Sequence, residues 1–327
     1  MHRNHNADII SMPLSHLQRA SPAFRRFLFE GKASDLHPKR AITLPESSAV
    51  SSVVEVLAKH EIGCVPLTKP ASGEIVGVIS ERDILGAAAE HDLTQKMILA
   101  STLMSKPAQT LPAYASIARV LYFMVAGGYR HIPLTGTLLK STAGEGKAPV
   151  RGIGLVSIKN VASYLYRCLG SKISGATTPT SDDIGEDLFE LFSSSVKSLT
   201  PCKPLTIHES SSVQETVALM VSHNTGSVVI LGDNGSVSGI FTERDLIARV
   251  LAKGAATGSV PVAEAMTARP HTLTEESTLS LALGLFAEGK YRHLPIVDHE
   301  ERLVGVLSVK DFIKALTEEV LRELGAT

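Results

Sequence analysis

A short pattern occurs four times in this chain and constrains its fold more than any other feature. The pattern is a glycine, two apolar residues, Ser or Thr, two further residues, and Asp or Asn. It stands at 77–83, 154–160, 239–245 and 305–311, each time at the end of an apolar run. Recurrence of this kind indicates an internally repeated architecture, so the four segments are interpreted as equivalent units.

A threonine in a strand-like run precedes each copy of the pattern. The four threonines are Thr43, Thr110, Thr206 and Thr272. The interval from this threonine to the glycine of the pattern is 33 or 34 residues in three repeats and 44 in the second. The additional residues fall in the segment 135–149, which is rich in Gly, Ser, Thr and Lys. This composition predicts a solvated hairpin loop.

Periodicity predicts the order of elements within a repeat. In the third repeat, a Ser-rich start signal at 210–212 precedes apolar residues at helical spacing. Two strands follow, joined by a turn that contains Asn234 and Gly235, which is typical of a β-hairpin. The repeated pattern ends the second strand and begins another helix. The prediction is a mixed α/β (α+β) fold in which each unit runs strand, helix, strand, strand, helix.

The repeated GxxS/TxxD pattern, together with YRHIP at 129–133 and YRHLP at 291–295, resembles the CBS domain family. Four tandem copies make the chain similar to the gamma subunit of AMP-activated protein kinase and to stand-alone prokaryotic CBS proteins. This resemblance implies that the repeats pack in pairs, called Bateman modules, with two clefts per pair. The predicted boundaries are an N-terminal extension at 1–33, repeats at 34–100 and 101–169, a linker at 170–192, and repeats at 193–256 and 257–327.

Composition excludes several classes of partner. The formal net charge is −1, which gives no general attraction for nucleic acid or for anionic membranes. Cys64, Cys168 and Cys202 have no metal-binding or disulfide spacing, so we expect free thiols and a reducing compartment. No apolar run is long enough to span a bilayer, and the polar N-terminus does not resemble a signal peptide. We expect a cytoplasmic protein without a metal site.

The Ser/Thr and the Asp of the pattern have a structural and a functional interpretation. As a structural device, Ser80, Thr242 and Ser308 cap a helix, and the Asp at the third helical position completes a capping box. As a site, the same turn presents a hydroxyl and a carboxylate at the positive end of a helix. A carboxylate can accept hydrogen bonds from both vicinal hydroxyls of a ribose. The two roles can coexist.

The family resemblance implies an adenosine-type ligand with the Asp on its ribose and the Ser or Thr near the sugar and phosphate. It also implies that the strand threonines lie near the ligand and that the segment around the first hairpin strand lines the base. Apart from those threonines, these candidates are Gly63, Cys64, Val65, Pro66, Ser80, Asp83, Pro133, Ser157, Asn160, Ser227, Val228, Thr242, Asp245, Pro295, Ser308 and Asp311.

The second repeat departs from this pattern because Asn160 stands where the others have Asp. An amide has one accepting oxygen and no charge, so binding of a ribose there should weaken by about 1–3 kcal/mol. The sequence therefore predicts at most three tightly bound adenosine ligands, with the second cleft empty or weak.

Basic side chains near the pattern are candidates for phosphate binding. Arg82 and Arg244 lie inside the turns of the first and third repeats, and Arg130-His131 and Arg292-His293 precede the hairpins of the second and fourth. Arginine matches phosphate oxygens with a planar fork, and histidine adds a donor whose charge varies near neutral pH. The alternative is that these arginines are solvated surface side chains.

Three classes of function fit the sequence. The first is a non-catalytic sensor that binds AMP, ADP or ATP, the last with Mg²⁺, and regulates a kinase or another enzyme. The second is a binder of S-adenosylmethionine, NAD or a cyclic dinucleotide, or a scaffold without ligand. The third, an enzyme, is disfavoured because the chain has no P-loop, GxSxG or HExxH motif. Module packing could also produce a homodimer, and the apolar and basic cluster at 24–29 could dock on the protein itself or on a partner.

Overall fold

The computed structural model describes residues 26–94, 97–139, 150–170, 192–199, 201–289 and 291–323. Within these ranges the chain repeats the order strand, helix, strand, strand, helix four times, so the predicted mixed α/β repeat fold is confirmed. The first repeat comprises Leu44–Pro45, Val50–His60, Cys64–Thr68, Ile75–Ser80 and Glu81–Glu90. The second comprises Leu111–Pro112, Ile117–Val125, His131–Leu139, Val150–Ser157 and Ile158–Gly170.

The other two repeats follow the same plan. The third comprises Thr206–His208, Val213–Ser222, Ser227–Leu231 and Val237–Thr242, followed by one helical segment with an α turn at Glu243–Asp245, a π turn at Leu246–Val250 and a 3₁₀ turn at Leu251–Lys253. The fourth comprises Leu273–Thr274, Leu279–Glu288, His293–Val297, Leu303–Ser308 and Val309–Glu323. Short helical or bridging pieces connect them at Arg26–Glu30, Ala33–Leu36, Lys39–Arg40, Ala100–Leu103, Val196–Leu199, Thr257–Ser259, Val262–Ala265 and Thr267–Ala268.

Each repeat forms a small mixed sheet. The two longer strands pair antiparallel as a hairpin, and the short first strand pairs parallel to the first hairpin strand. In the third repeat the hairpin turns at Gly235, whose φ of 76° is the left-handed conformation that glycine adopts without strain. This confirms the hairpin predicted from Asn234 and Gly235.

The segment that leads into the first repeat of each pair is added to the sheet of the second repeat. Lys39 and Arg40 pair antiparallel with Leu155 and Gly154, and Cys202 forms the equivalent bridge to Val306. An added strand satisfies backbone groups that would otherwise stay unpaired at a sheet edge. The lead-in segments therefore tie repeat 1 to repeat 2 and repeat 3 to repeat 4.

Helices join the two modules so formed. Leu85 of the first repeat packs in the core of the third, and Ile247, at the equivalent position, packs in the core of the first. The second and fourth repeats share one continuous core, in which Gly284 lies against the ring of Tyr166. Repeat 1 thus packs on repeat 3, and repeat 2 on repeat 4.

Several expectations about segments change or lie outside the described residues. Thr43, Thr110 and Thr272 stand one residue before their strands rather than within them, and only Thr206 lies in a strand. The second hairpin is paired as far as Leu139 and Val150, so the strand His131–Leu139 includes the first five residues of the predicted loop. The rest of that loop, most of the predicted linker and most of the N-terminal extension are outside the described residues.

Part of the predicted N-terminal extension belongs to the core. Leu28 and Ala33, from the predicted N-terminal extension, are buried in the core shared by repeats 2 and 4. In the described part of the chain, no helix combines the length and apolar character needed to cross a membrane.

Candidate nucleotide site

The repeated turn forms a helix cap in all four repeats. The hydroxyl and backbone N–H of Ser80 both donate to Oδ2 of Asp83 at 2.7 Å. Thr242 donates in the same way to Asp245, at 2.6 Å from the hydroxyl and 2.9 Å from the N–H. Such bonds satisfy groups that would otherwise be unpaired at a helix start. The structural interpretation of the pattern is therefore confirmed.

The caps of the second and fourth repeats are similar. The Ser157 hydroxyl donates to Oδ1 of Asn160 at 2.7 Å, and the Ser308 hydroxyl donates to Oδ2 of Asp311 at 2.5 Å. An Asn carbonyl oxygen therefore serves this cap as well as a carboxylate does.

Beyond the cap, the four acidic or amide side chains differ. Within the described residues, Oδ1 of Asp83 and Oδ1 of Asp311 accept no hydrogen bond. Oδ1 of Asp245 lies 3.3 Å from the Thr267 hydroxyl and 3.2 Å from Nη1 of Arg249. The carboxylates of the first and fourth repeats thus keep one oxygen for another partner.

Both the oxygen and the nitrogen of the Asn160 side-chain amide form hydrogen bonds within the protein. Its carbonyl oxygen completes the cap, and its Nδ2 donates to the backbone carbonyls of Leu36 and His37, each at 3.3 Å. These residues belong to the lead-in segment that packs on the second repeat. A carboxylate at this position could not donate these bonds, which gives the departure from Asp a structural reason.

A cluster of charged side chains connects the two modules through two buried glutamates. Glu81 of the first repeat is 2% exposed and lies 2.7 Å from Nη2 of Arg292 and 3.2 Å from Nε of Arg244. Its Oε2 is 2.5 Å from Nη1 of Arg292, although the angle there is not that of a hydrogen bond. Both arginines belong to the second module.

Glu243 of the third repeat makes the reciprocal contacts. It is 2% exposed and pairs with Arg130 at 2.6 and 3.1 Å and with Nε of Arg82 at 2.5 Å. Nη1 of Arg82 also donates to the side-chain oxygen of Asn224 at 2.6 Å. Each glutamate therefore holds two arginines of the opposite module.

The ion pairs keep the glutamates ionised. Burial alone would raise the pKa of Glu81, but the Arg292 and Arg244 charges outweigh burial and lower it to about 2. Burial likewise opposes the Arg130 and Arg82 charges at Glu243, and the net result is a lowered pKa. Four arginines surround the two glutamates, and Arg130 and Arg292 also interact with the charges of Asp83 and Asp245 respectively.

The two histidines next to these arginines are neutral. Burial lowers the pKa of His131 to about 3, and the Arg292 and Arg130 charges act in the same direction. Burial also lowers the pKa of His293 to about 3, and its Nδ1 is buried with no hydrogen-bond partner among the described residues. The expectation that these rings carry a charge varying near neutral pH is therefore wrong for the protein as folded here.

The CBS domain family matches residues 33–90, 196–252 and 262–318, which together are more than half of the chain. The chain belongs to the CBS domain family. These matches cover the first, third and fourth repeats. The second, with its longer hairpin and Asn160, has the same element order in the structure.

Relatives and solved structures agree with this assignment. The chain is 23% identical over 314 residues to the Meiotically up-regulated gene 70 protein of Schizosaccharomyces pombe, a match that covers 85% of this chain and 42% of that protein. It is 22% identical to a CBS domain-containing protein of Arabidopsis thaliana, over 84% of this chain and 51% of the relative. The chain thus spans about half the length of these relatives.

A crystal structure from Methanocaldococcus jannaschii, of a protein proposed to be an archaeal homologue of γ-AMPK, superposes with a TM-score of 0.64. It is 14% identical to this chain, and the match covers 85% of this chain and 96% of that one. At this identity the similarity concerns the fold alone.

The other predicted site residues of the CBS repeats divide by exposure. Thr206 and Thr272 are exposed, and Thr43 and Thr110 are half-buried. The residues predicted to line the base are buried in the sheets: Gly63, Cys64, Val65, Pro66, Pro133, Ser227, Val228 and Pro295. Their role toward a ligand stays a prediction. Burial raises the pKa of the Cys64 thiol, so this side chain behaves as an apolar group.

Glycine in the odd repeats makes room for histidine from the even ones. A Cβ atom on Gly63 would lie 2.4 Å from Cε1 of His131, and a Cβ on Gly226 would lie 3.4 Å from Cε1 of His293. In each module, the histidine of the even-numbered repeat thus packs against the glycine of the odd-numbered repeat.

Sequence reasoning missed Glu81 and Glu243, which were treated as variable positions of the pattern. A signal was present, because Glu stands at this position in repeats 1 and 3 while Ile158 and Val309 stand there in repeats 2 and 4. Arg-His occurs only in the even repeats, which is the complementary distribution. Among the described residues, no group of three His, Cys, Asp or Glu side chains is placed to hold a metal ion.

Proposed function

We propose that this chain is a non-catalytic regulatory protein that senses an adenine nucleotide, AMP, ADP or ATP, the last together with Mg²⁺. One observation carries the proposal: four arginines gather around two buried glutamates where the modules meet. Guanidinium groups gathered in this way suit the oxygens of an anionic ligand. We propose further that the protein regulates a partner, such as a kinase or another enzyme.

The groups near this cluster match the parts of a nucleotide. The guanidinium forks of Arg130 and Arg292 suit phosphate oxygens in pairs. Helix starts favour anions, and each repeated turn is a helix start. The carboxylate oxygen of Asp83 that the cap leaves unused lies near the Arg130 charge and suits the hydroxyls of a ribose.

The same ion pairs suggest how binding would be transmitted. Phosphate and the Glu81 or Glu243 carboxylate would compete for the same arginines, and each of these ion pairs joins the two modules. A nucleotide that draws an arginine away from its glutamate would weaken that connection. Binding would then shift the relative arrangement of the modules, by as much as the ligand's affinities for the two arrangements differ.

Calorimetry with AMP, ATP and adenosine tests the proposal. We expect AMP and ATP to bind more tightly than adenosine and their affinity to fall as salt rises, because counterions screen the attraction between arginine and phosphate. The double variant Glu81→Gln/Arg292→Gln removes an arginine together with its carboxylate partner, so no carboxylate is left unpaired. This variant should weaken the binding of AMP far more than the binding of adenosine. The matched control is Arg302→Gln, an exposed arginine that pairs with Asp298 and Glu300.

Two results would contradict the proposal. Equal binding of AMP and adenosine, indifferent to salt, would favour a neutral adenosine compound such as S-adenosylmethionine. Absence of binding to every adenine nucleotide would favour a scaffold role.

A further inference from the structure

We infer that the charged cluster between the modules is an orientation key, which lets repeat 1 pack on repeat 3 and prevents repeat 1 from packing on repeat 4. Each module thus presents a face that fits another module of the same charge order, in one orientation only. This selection needs no ligand, so it goes beyond the proposed function. The key consists of Glu81, Arg82, Arg130, Glu243, Arg244 and Arg292.

A backbone hydrogen bond defines two equivalent positions in the four repeats. The N–H of the first residue in the last helix donates to the carbonyl of the residue just before the first hairpin strand. The donor and acceptor are Glu81 and Gly63, Ile158 and Arg130, Glu243 and Gly226, and Val309 and Arg292. We call these the helix position and the strand position, and they can be compared directly between repeats.

The two positions alternate in chemistry along the chain. Odd-numbered repeats have Glu at the helix position and Gly at the strand position, whereas even-numbered repeats have Ile or Val and Arg. No repeat therefore carries at these positions both a carboxylate and the arginine that could neutralise it. Glu81 pairs with Arg292 and Glu243 with Arg130, so each carboxylate depends on the even-numbered repeat of the opposite module. These side chains are mostly buried, with exposed fractions of 2% for the glutamates and 16% and 17% for the two arginines.

Neighbouring positions do not distinguish one orientation from the other. The residue after the helix position is a cation in every repeat: Arg82, Lys159, Arg244 and Lys310. The residue one helical turn after the helix position is apolar and buried in every repeat: Leu85, Ala162, Ile247 and Ile313. Burial of apolar surface is non-directional, so these contacts favour association of the modules without selecting which repeats meet.

Half a turn of one module would place repeat 4 on repeat 1 and repeat 3 on repeat 2. Equivalent positions would then exchange, so all four arginines of the key would face Ile158 or Val309 instead of a carboxylate. Each glutamate would face only a glycine and one lysine, Lys310 or Lys159. A buried charge that loses its partner is strongly destabilising. A buried polar residue fixes the register of a coiled coil by the same kind of penalty, so the key rejects this orientation.

Two pairs of introduced cysteines report the orientation in the full chain. The Ser163 hydroxyl donates to the Ala287 carbonyl at 3.3 Å, so Ser163→Cys/Ala287→Cys, the native pair, reports repeat 2 on repeat 4. Val221 and Ala287 are each the next-to-last residue of the first helix in their repeat. Ser163→Cys/Val221→Cys, the reversed pair, therefore reports repeat 2 on repeat 3. Cys168→Ser and Cys202→Ser remove the exposed native thiols.

Crosslinking after unfolding in urea and refolding lets the modules assemble anew. A short bismaleimide joins whichever pair lies close, and peptide mass spectrometry of the monomeric product quantifies the crosslink. With wild-type charges, the native pair should crosslink and the reversed pair should give at most a trace.

Removing the charges should bring the reversed orientation into the population. Arg130→Gln/Glu243→Gln removes one charged pair, and adding Glu81→Gln/Arg292→Gln removes the other. Each step should raise crosslinking of the reversed pair at least about tenfold, because one buried charge pair fewer opposes that orientation. If circular dichroism shows that the fourfold variant does not fold, Arg130→Gln/Glu243→Gln decides by itself.

An exposed ion pair provides the matched control. Glu300→Gln/Arg302→Gln removes two surface charges and should leave both crosslinks unchanged. Strong crosslinking of the reversed pair with wild-type charges, or of the native pair alone in the neutralised variants, would overturn the inference, because packing rather than charge would then set the orientation. Loss of both crosslinks in a folded variant would also overturn it, because the charges would then hold the modules together without selecting an orientation. None of these results depends on nucleotide binding, so the proposed function is tested separately.

Discussion

Arg292 of the fourth repeat reaches across the module boundary to Glu81 of the first, with Nη2 at 2.7 Å from Oε1 and Nη1 at 2.5 Å from Oε2. The two residues are 211 positions apart in the chain. The carboxylate is almost completely buried, so this contact joins the modules through a charge that water does not reach.

Replacing Glu81 with Gln should destabilise the protein. Arg292 and Arg244 would remain with no carboxylate between them, and breaking a buried pair in this way costs about 3 kcal/mol. Chemical denaturation measures the free energy of unfolding. Glu300→Gln is the control, because this exposed carboxylate pairs with Arg302 at the surface and should change stability by less than about 1 kcal/mol. Equal effects of the two substitutions would show that burial does not matter here.

The same pair sets a pH dependence at the acid end. The pKa of Glu81 is lowered from 4.5 to about 2, so its contribution to stability is complete above about pH 4.5 and is lost as the pH falls toward 2. The difference in unfolding free energy between wild type and Glu81→Gln should therefore shrink across this window. A difference that stays constant from pH 5 to pH 2 would exclude this ionisation.

The two neutral histidines give stability a second pH dependence, at higher pH than that of Glu81. Each pKa is lowered from 6.5 to about 3, so unfolded histidine takes up protons in a range where the folded ring does not. The contribution of each histidine to the free energy of unfolding is therefore fully present above about pH 6.5. Below that pH it falls by at most about 1.4 kcal/mol per pH unit. His293→Gln should make this slope shallower in denaturation series from pH 7 to 4. An unchanged slope would mean that the ring protonates in the folded protein.

Gly63 and Gly226 offer a matched pair of substitutions. In Gly63→Ala the new methyl would lie 2.4 Å from the His131 ring, whereas in Gly226→Ala the nearest atoms are at 3.4 Å. Overpacking of this kind costs about 1–3 kcal/mol, so Gly63→Ala should lower the melting temperature clearly more than Gly226→Ala. The reverse order would contradict the placement of His131.

Asn160→Asp should release the lead-in segment. The variant keeps an oxygen for the cap but loses the donor to Leu36 and His37 and puts a negative charge next to two carbonyls. The Leu36 carbonyl is partly buried, and leaving it without a donor costs about 1 kcal/mol or more, whereas the exposed His37 carbonyl can be hydrated. Hydrogen exchange at residues 33–40 should accelerate, while Asp311→Asn in the fourth repeat should leave the same peptides unchanged. Unaltered exchange in Asn160→Asp would show that the amide does not hold this segment.

Sequence patterns predicted the candidate site in part. The pairing of Ser80 with Asp83 and of Thr242 with Asp245 was predictable because a cap forms between residues three positions apart. The partners of the arginines were not predictable in this way. Arg82 and Arg130 meet Glu243 across 161 and 113 residues, and no local rule connects such positions.

The sequence by itself determined the repeated unit: its element order, its hairpins and three of its four helix caps. These depend on periodicity, turn residues and bonds within a few positions, all of which are local. Only the tertiary structure decided that the arginines lie between modules, that the histidines are neutral, and that Asp245 and Asn160 are already satisfied. Those properties depend on burial and on contacts between repeats, which arise when the four units pack together and desolvate the same small group of side chains.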